Sequence, residues 1–278
     1  MANAQIAYLG PPGTYSHLVA QKYFGARQLV TPLPTVSDVC RAVARGTHSR
    51  GIVPIENSSG GVIYEMADIL LAGRPRIHIE EEITLNVKLA LIGGKGEQIK
   101  VLYSHFAPLE HCSAWLKRHL PHAERRVVAS TAAAAARAAR ERNAAALGSR
   151  KLAGMYGLSV IRYPVQADMP NITSFLALRT RPVKTRSATR GKTIIAAWIP
   201  HRPGSLCALL EAFRSQDVNL LRIVSRPIRG CPRQYAFLLD IEGHVDAPRL
   251  KRSLSLARQE SLRLRVVGSF PWGRSYNS

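Results

Sequence analysis

Long apolar runs are missing from this sequence of 278 residues: none is long enough to span a membrane, and the N-terminus lacks the features of a signal peptide. Cysteine is also scarce. The four cysteines (Cys40, Cys112, Cys207 and Cys231) show no paired metal-binding spacing, and we expect them to be reduced residues that pack in the interior. These features predict a soluble, cytoplasmic protein.

Acidic residues are few beside basic ones: 18 Asp and Glu against 39 Lys and Arg give a net charge of +21. The basic residues are spread along the chain, only 6% of residues are aromatic, and no DNA- or RNA-binding motif accompanies them. We therefore interpret the charge as a solvated basic surface and expect neither nucleic acid nor membrane as a partner. The field of such a surface would still favour a small anionic substrate.

A nucleotide-binding fingerprint is absent as well. The segment Gly10–Gly13 lies between a predicted strand and a predicted helix, a place where free backbone N–H groups can bind anions. It matches neither G-x-G-x-x-G nor G-x-x-x-x-G-K-[ST]. Small carboxylates are therefore better candidate ligands than phosphates.

What the sequence does contain is a recurring combination of small, hydroxyl and amide residues at the ends of apolar runs. The segments are Gly10–His17, Pro54–Gly61, Tyr103–His105 and Asn171–Phe175, the last of which follows Pro170. Each alone is typical of a capped turn, and His17 and His105 are typical of ordinary loop histidines. Their recurrence predicts four loops around one polar pocket.

The order of predicted elements indicates an α/β protein with a two-lobed catalytic domain at 1–180 and a second domain at 192–278. Lobe one is expected at about 1–82 plus 165–180 and lobe two at about 83–164, with a strand-like run at 83–92 crossing between them. A polar, basic linker is expected at 181–191. The remainder has the order β-α-β-β-α-β of the ferredoxin-like split motif. The polar segments would face the cleft between the lobes, as in periplasmic binding proteins.

Nearly the whole chain resembles the monofunctional bacterial prephenate dehydratases that carry a C-terminal ACT regulatory domain. In the first domain the resemblance rests on Gly10-Pro11-x-Gly13-Thr14-Tyr15-Ser16-His17, Val53-Pro54-Ile55-Glu56-Asn57-Ser58, Ser104-His105, Ser130-Thr131-Ala132-Ala133, Tyr156-Gly157-Leu158 and Asn171-x-Thr173-x-Phe175. In the second it rests on Pro203-Gly204-Ser205-Leu206, Asn219-Leu220, Ser225-Arg226-Pro227 and Asp240-Ile241-Glu242-Gly243-His244. The order and spacing of these motifs together carry the resemblance.

The resemblance implies that prephenate loses its ring hydroxyl and ring carboxylate, which gives phenylpyruvate, water and carbon dioxide in phenylalanine biosynthesis. Aromatisation drives this reaction, so neither cofactor nor metal is expected. By similarity Thr173 donates to the departing hydroxyl. The other residues expected at the substrate are Thr14, Asn57, Ser58, Ser104, His111, Ser130, Thr131, Asn171, Ser174 and Phe175.

The resemblance also implies allosteric regulation by phenylalanine and a homodimer or homotetramer. The residues expected at the effector are Gly204, Ser205, Leu206, Asn219, Leu220, Ser225, Arg226 and Pro227. We expect the two segments that hold them to meet at the edge of the split sheet. Val224 stands where the family has a glutamate, which should weaken effector recognition or its transmission.

The chain departs from the family pattern at several further positions. Ser174 replaces an arginine that is expected to bind a substrate carboxylate. His111 occupies a position where the family commonly has glutamine, Leu89 one where histidine is frequent, and Phe106 one where proline is usual. Another cation could compensate in an ordinary dehydratase. Alternatively, the pocket has shifted toward arogenate or toward non-aromatising decarboxylation, and Gly60-Gly61 is a pattern of arogenate dehydratases. A third alternative is a non-catalytic, amino-acid-sensing binding protein; the presence of Thr173 argues against it.

Overall fold

The computed structural model describes residues 5–96, 98–165, 170–182 and 191–278. The N-terminal elements are β1 (Ile6–Leu9), α1 (Tyr15–Phe24), β2 (Val30–Leu33), α2 (Val36–Arg45), β3 (Arg50–Asn57), β4 (Gly61–Val62), α3 (Tyr64–Ala72) and β5 (His78–Asn86). The middle of the chain forms β6 (Ala90–Gly93), β7 (Val101–Ser104), α4 (Phe106–His111), α5 (Ser113–His119), β8 (Glu124–Val127), α6 (Thr131–Ala138), β9 (Ala144–Gly148), α7 (Lys151–Tyr156), β10 (Ser159–Arg162) and β11 (Ile172–Arg179). The last elements are β12 (Gly191–Trp198), α8 (Ser205–Arg214), β13 (Leu220–Pro227), β14 (Tyr235–Glu242), α9 (Pro248–Gln259), β15 (Arg263–Pro271) and β16 (Ser275–Asn277).

Helix α2 shows how the local sequence sets these bounds. Its N-cap is Thr35, whose hydroxyl accepts a hydrogen bond from the backbone N–H of Asp38. It ends at Gly46, whose φ of 76° is left-handed backbone that glycine adopts without strain. Between them Val39 and Val43, four residues apart, are fully buried on one face.

Lobe one is built on a sheet with the strand order β16-β5-β11-β3-β1-β2, to which β4 is added beside β3. Strands β1, β2 and β3 are parallel, whereas β11 runs antiparallel to both β3 and β5. The carboxyl ends of β1 and β3 and the beginning of β11 therefore lie at one edge of this sheet. Three of the predicted polar segments meet there.

Lobe two is built on a sheet with the order β10-β6-β9-β7-β8. Strand β7 is parallel to both β8 and β9, so the carboxyl ends of these three strands also share an edge. Ser104 is the last residue of β7, and Ser130 follows β8 at the start of α6. The fourth polar segment thus lies at the edge of lobe two.

The C-terminal domain has the order β13-β14-β12-β15 and is antiparallel throughout, as the β-α-β-β-α-β pattern predicts. Its central strand β12 packs against other elements on both faces of the sheet. Ile195 and Ala197 of β12 pack with α8 and α9, whereas the alternating Ile194 and Ala196 belong to a core shared with lobe one. The two domains are therefore joined by a continuous apolar core.

The structure corrects three sequence-based boundaries. The run 83–92 is two strands separated at 87–89: β5 stays in lobe one and β6 begins lobe two, so the crossing occurs after Asn86. The spacing of the apolar residues Leu109, Cys112 and Leu116 predicts one helix over about 109–119, but the structure breaks it into α4 and α5 at Cys112. The end of the chain does not stay with the C-terminal domain, because β16 pairs in parallel with β5 of lobe one.

Other expectations met mixed outcomes. Cys40 and Cys112 are buried free thiols, and burial raises the pKa of Cys112 to about 11. Cys207 is exposed, so the prediction of an interior position was wrong for it. Most of the predicted linker, 183–190, and the residues Asp168 and Met169 lie outside the described residues. None of the helices in the described ranges is long and apolar enough to cross a membrane.

Candidate active site

The centre of the lobe-one edge is the side chain of Asn57, the last residue of β3. Its Oδ1 accepts hydrogen bonds from the backbone N–H groups of Ser59 (2.9 Å) and Gly60 (2.7 Å). These two donors fix the orientation of the amide, so its Nδ2 faces the other way and donates to Asn171 Oδ1 and to Thr173 Oγ1, both at 2.8 Å. Both N–H groups and both oxygen lone pairs are thereby used. Asn57 therefore positions its neighbours and has no hydrogen-bonding capacity left for a substrate.

Ser58 and Asn171 hold the same edge together from both sides. The Ser58 hydroxyl donates to the carbonyl of Pro170 (3.1 Å) and accepts from the N–H of Ile172 (2.9 Å). Asn171 is buried, and its carbonyl accepts from the N–H of Val87 at the crossing between the lobes. These two residues, which the sequence predicts as substrate contacts, fix the entrance of β11 and hence Thr173.

Three predicted residues of lobe two lie where its parallel strands end. Ser104 is fully buried, and its hydroxyl donates to the neighbouring carbonyl of His105 (3.0 Å). Ser130 is the N-cap of α6 and accepts from the N–H of Ala133 (3.1 Å). Thr131 begins α6 and is buried. The first N–H groups of α6 precede the capped one and point out of the helix, where an anion can bind.

The two edges touch at a few points, which define the cleft. Ser59 Oγ lies 2.9 Å from Nδ1 of His111, which ends α4 of lobe two. Ser149 Oγ donates to the carbonyl of Gly13 (2.9 Å). Gly13 has a φ of +86°, and a Cβ there would overlap Leu152 of lobe two, so this close approach of the lobes requires glycine. Sequence reasoning missed Ser59 and Ser149, although both belong to hydroxyl-containing segments.

The loop after β1 supplies the remaining predicted residues. Thr14 is the N-cap residue of α1, and its hydroxyl donates to the carbonyl of Pro11 (2.9 Å). His17 Nδ1 accepts from the N–H of Gly13 (3.0 Å), and its ring stacks on Tyr8 with centroids 4.9 Å apart. Burial, and secondarily Lys151, lower the pKa of His17, which is therefore neutral near pH 7. As expected for an ordinary loop histidine, it shapes the loop.

Ser174 and Phe175, both predicted to contact the substrate, lie on opposite faces of β11. Along β11 the residues alternate, so Phe175 is buried in the core that joins the two lobes, while Leu176 lies in the core shared with the C-terminal domain. Ser174 is on the same face of β11 as Leu176, which is the face away from Thr173. On the neighbouring strand β3 it lies directly opposite Glu56. An arginine at this position would face the C-terminal domain. This placement argues against position 174 as a carboxylate anchor in the cleft.

The predicted effector residues fall into two groups. Gly204, Ser205 and Leu206 line a cavity of about 190 Å³ together with Tyr235 and Phe237. Strand β13 reaches this end of the sheet, because Ser225 pairs with Phe237 and Arg226 and Pro227 follow it to Tyr235. Asn219 and Leu220 lie at the opposite end, beside Glu242 and Ile241. Within one chain, therefore, only the end of the second predicted segment, Ser225–Pro227, reaches the first segment at the cavity; its beginning does not.

Val224 is buried in the core between the C-terminal domain and lobe one. Its position favours transmission over effector recognition as the property that this substitution changes. A glutamate there would bring a charge into apolar surroundings.

Comparisons with known proteins identify the family of the chain. Residues 6–183 match the family model "Prephenate dehydratase". The chain belongs to the prephenate dehydratase family. The bifunctional chorismate mutase/prephenate dehydratase of Pseudomonas aeruginosa is 35% identical over 269 residues, which cover 96% of this chain and 73% of that protein. The predicted family and the predicted enzyme class are thereby confirmed.

Two solved structures extend the comparison to both domains. The prephenate dehydratase of Arthrobacter aurescens, solved in complex with L-Phe, has a TM-score of 0.86 and 28% identity, covering 96% of this chain and 90% of its own. A structure described as GqqA, a novel type of quorum quenching acylase, has a TM-score of 0.83 and 26% identity, covering 97% of this chain and 98% of its own. Structures with this fold are therefore described with two different activities. The geometry of the site is needed to choose between these activities for this chain.

Proposed function

We propose that Thr173 is the proton donor in the decarboxylating dehydration of prephenate to phenylpyruvate. The observation that carries this proposal is the 2.8 Å hydrogen bond from Asn57 Nδ2 to Thr173 Oγ1. Because the oxygen accepts this bond, its own proton is directed elsewhere. The amide also stabilises negative charge that develops on the oxygen as the proton leaves.

The substrate dianion is held by backbone N–H groups at the start of α6, opposite the Thr173 edge. Helix N-termini carry partial positive charge and bind carboxylates without a cationic side chain. The Ser59–His111 contact joins the lobes at 2.9 Å, and we propose that it helps to keep water from the reacting groups. In this arrangement no arginine at position 174 is needed.

Acyl hydrolysis, the activity in the name of the GqqA structure, requires an activated nucleophile with a base beside it. In the described part of the chain, the side chain hydrogen-bonded to the Thr173 hydroxyl is an amide, which donates that bond and cannot take up the proton. The geometry therefore supports proton donation by Thr173 over nucleophilic attack.

Phenylalanine is the effector we propose, bound in the cavity beside Gly204, Ser205 and Leu206. Asn219 lies at the far end of the sheet, and the edge strand β13 exposes Leu221 and Ile223. A second copy of the chain would cover this edge and bring its own Asn219 to the cavity. We therefore propose a homodimer, alone or within a tetramer. Free cysteines support the proposed cytoplasmic location.

The deciding experiment compares prephenate and arogenate as substrates of the purified protein. We expect prephenate to give phenylpyruvate, detected by its absorbance in alkali. Preferential turnover of arogenate to phenylalanine would instead establish the shifted specificity. Loss of carbon dioxide without an aromatic product would establish the decarboxylase, and a protein inactive on both substrates would overturn the proposal.

A further inference from the structure

Five charged side chains form one network across the junction of lobe one and the C-terminal domain. Arg222 of β13 donates to Glu56 Oε2 from Nη1 (3.0 Å) and to Asp240 Oδ2 from Nη2 (2.5 Å). Lys192 of β12 lies 2.7 Å from the same Asp240 oxygen and 2.6 Å from Glu82 Oε2. The network thus links β3 and β5 of the catalytic domain to three strands of the C-terminal domain.

The network is buried and incompletely satisfied. The side chain of Asp240 is 0% exposed and that of Arg222 is 7% exposed, whereas Glu56 is 39% exposed. Burial alone would lower the pKa of Arg222, but Asp240, Glu82 and Glu56 outweigh it and raise the pKa, so the guanidinium stays charged. Among the described residues, Arg222 Nε and Asp240 Oδ1 are buried without a hydrogen-bond partner. A buried ion network of this kind is a poor source of stability, which directs attention to what it positions.

Glu56 is adjacent to the active site on one side and to the C-terminal domain on the other. It immediately precedes Asn57, the residue that holds Thr173, and its carboxylate extends to Arg222. Three residues beyond Arg222, Ser225 pairs with Phe237, which lines the effector cavity. A single strand of the C-terminal domain therefore connects the cavity with the end of β3.

We propose that Arg222 is a positioning residue for the reaction: through Glu56 it fixes the end of β3, and thereby the Asn57–Thr173 pair, from the C-terminal domain. This inference rests on the proposed function, because it identifies the contact through which the effector cavity acts on Thr173. The Asn57 amide aligns Thr173 through one hydrogen bond, so a small displacement of β3 misplaces the donor. Catalytic geometry is sensitive to displacements on the order of 1 Å.

Glu56→Gln is the first test, since the half-exposed Glu56 can be changed while the Arg222–Asp240 pair remains. We expect kcat for prephenate to fall roughly 10- to 100-fold with KM nearly unchanged, the pattern of a misplaced catalytic group. Arg265→Met is the matched control at the same domain junction. Arg265 donates to the carbonyls of Leu70 and Leu71 in α3, so its replacement should lower thermal stability and leave kcat unchanged.

Rescue separates positioning from a purely structural role. Arg222→Met should lower kcat as Glu56→Gln does, and the double variant should lower it no further than the worse single variant. Ser174 lies directly opposite Glu56, so Ser174→Arg places a second cation beside that carboxylate from within the catalytic domain. Adding Ser174→Arg to Arg222→Met should restore most of the lost kcat.

The effector provides the last readout. Phenylalanine should still bind Glu56→Gln in calorimetry, but its additional inhibition should be smaller than in the wild type, because the contact that transmits it is absent. A folded Glu56→Gln variant with wild-type kcat and wild-type inhibition would overturn the inference. So would loss of kcat in Arg222→Met that Ser174→Arg leaves unrepaired. If the wild type itself does not convert prephenate, the proposed function fails, which is a separate outcome.

Discussion

Asn57 and Thr173 face each other across two antiparallel strands, and the amide of the first donates a 2.8 Å hydrogen bond to the hydroxyl of the second. Two backbone N–H groups fix the amide in this orientation. The hydroxyl is therefore preorganised by groups that belong to the protein, before any substrate enters.

Thr173→Ala removes the proposed donor, so we expect kcat for prephenate to fall by roughly two to four powers of ten, the usual contribution of a positioned proton donor. Binding of the substrate should change little. Thr173→Ser keeps the hydroxyl and serves as the control, with most of the activity retained. Activity of the alanine variant within a few-fold of the wild type would eliminate this role.

Asn57→Asp tests the orientation of the pair. A carboxylate can still accept from the N–H groups of Ser59 and Gly60, but it cannot donate to Thr173 or Asn171. We expect a loss of about 10²–10³ in kcat, comparable to the removal of one donor from an anion-stabilising site. Steady-state kinetics at a pH well above the pKa of an ordinary aspartate measures this effect. An unchanged kcat would show that Thr173 needs no amide partner.

The polar edge itself could be predicted from the sequence, because residues such as Asn57, Ser104 and Thr173 mark the ends of apolar runs and strand ends converge at sheet edges. The role of each residue at that edge could not be predicted. Asn57 and Ser58 have the residue types of substrate contacts, and only the positions of their partners show that their hydrogen bonds are used within the protein.

Ser174 illustrates a different limit. A period of two predicts that neighbours on a strand face opposite sides, but the sequence does not tell which side faces the cleft. Here both faces of β11 are buried, one in the core that joins the two lobes and one in the core that α2, α3 and the C-terminal domain share. The return of β16 to lobe one escaped prediction for a similar reason, since three residues carry too little pattern to show which strand they join.

Ser174→Arg alone tests this placement. Because the side chain faces Glu56 and the C-terminal domain, the new guanidinium should leave KM for prephenate within about twofold of the wild type. A guanidinium in the cleft would instead tighten binding of the dianion by about 1.5–3 kcal/mol, the contribution of a charged hydrogen bond. Isotherms for prephenate bound to the Thr173→Ala background distinguish the two outcomes.

His17 makes part of the stability depend on pH. Its folded-state pKa lies below the unfolded value of about 6.5. The neutral form is therefore favoured by folding, and the contribution of His17 to the free energy of unfolding is fully present above that pH and is lost as the pH falls through the folded-state pKa. His17→Gln cannot titrate, so its free energy of unfolding should differ most from the wild type near neutral pH. Denaturant unfolding at pH 7.5 and pH 5 measures the free energy of unfolding of the wild type and of the variant. If the two proteins differ by the same amount at both pH values, the prediction is contradicted.

In the regulation that we propose, a second copy of the chain brings its Asn219 to the cavity at Ser205. We expect L-phenylalanine to bind in calorimetry, and Asn219→Ala to weaken that binding by about 0.5–1.5 kcal/mol, the net value of one hydrogen bond. Asn277→Ala, an exposed position on β16, is the matched control and should bind as the wild type does. Sedimentation of the same samples reports the oligomeric state. A monomer that binds phenylalanine with full affinity would contradict the shared cavity.

Val224 changes the core through which the C-terminal domain contacts lobe one. We therefore expect phenylalanine to inhibit the enzyme less than its binding affinity would allow, with a loss of coupling within the ~1–3 kcal/mol of ordinary allosteric coupling. Val224→Glu restores the family residue, and stronger inhibition at unchanged affinity would assign the defect to transmission.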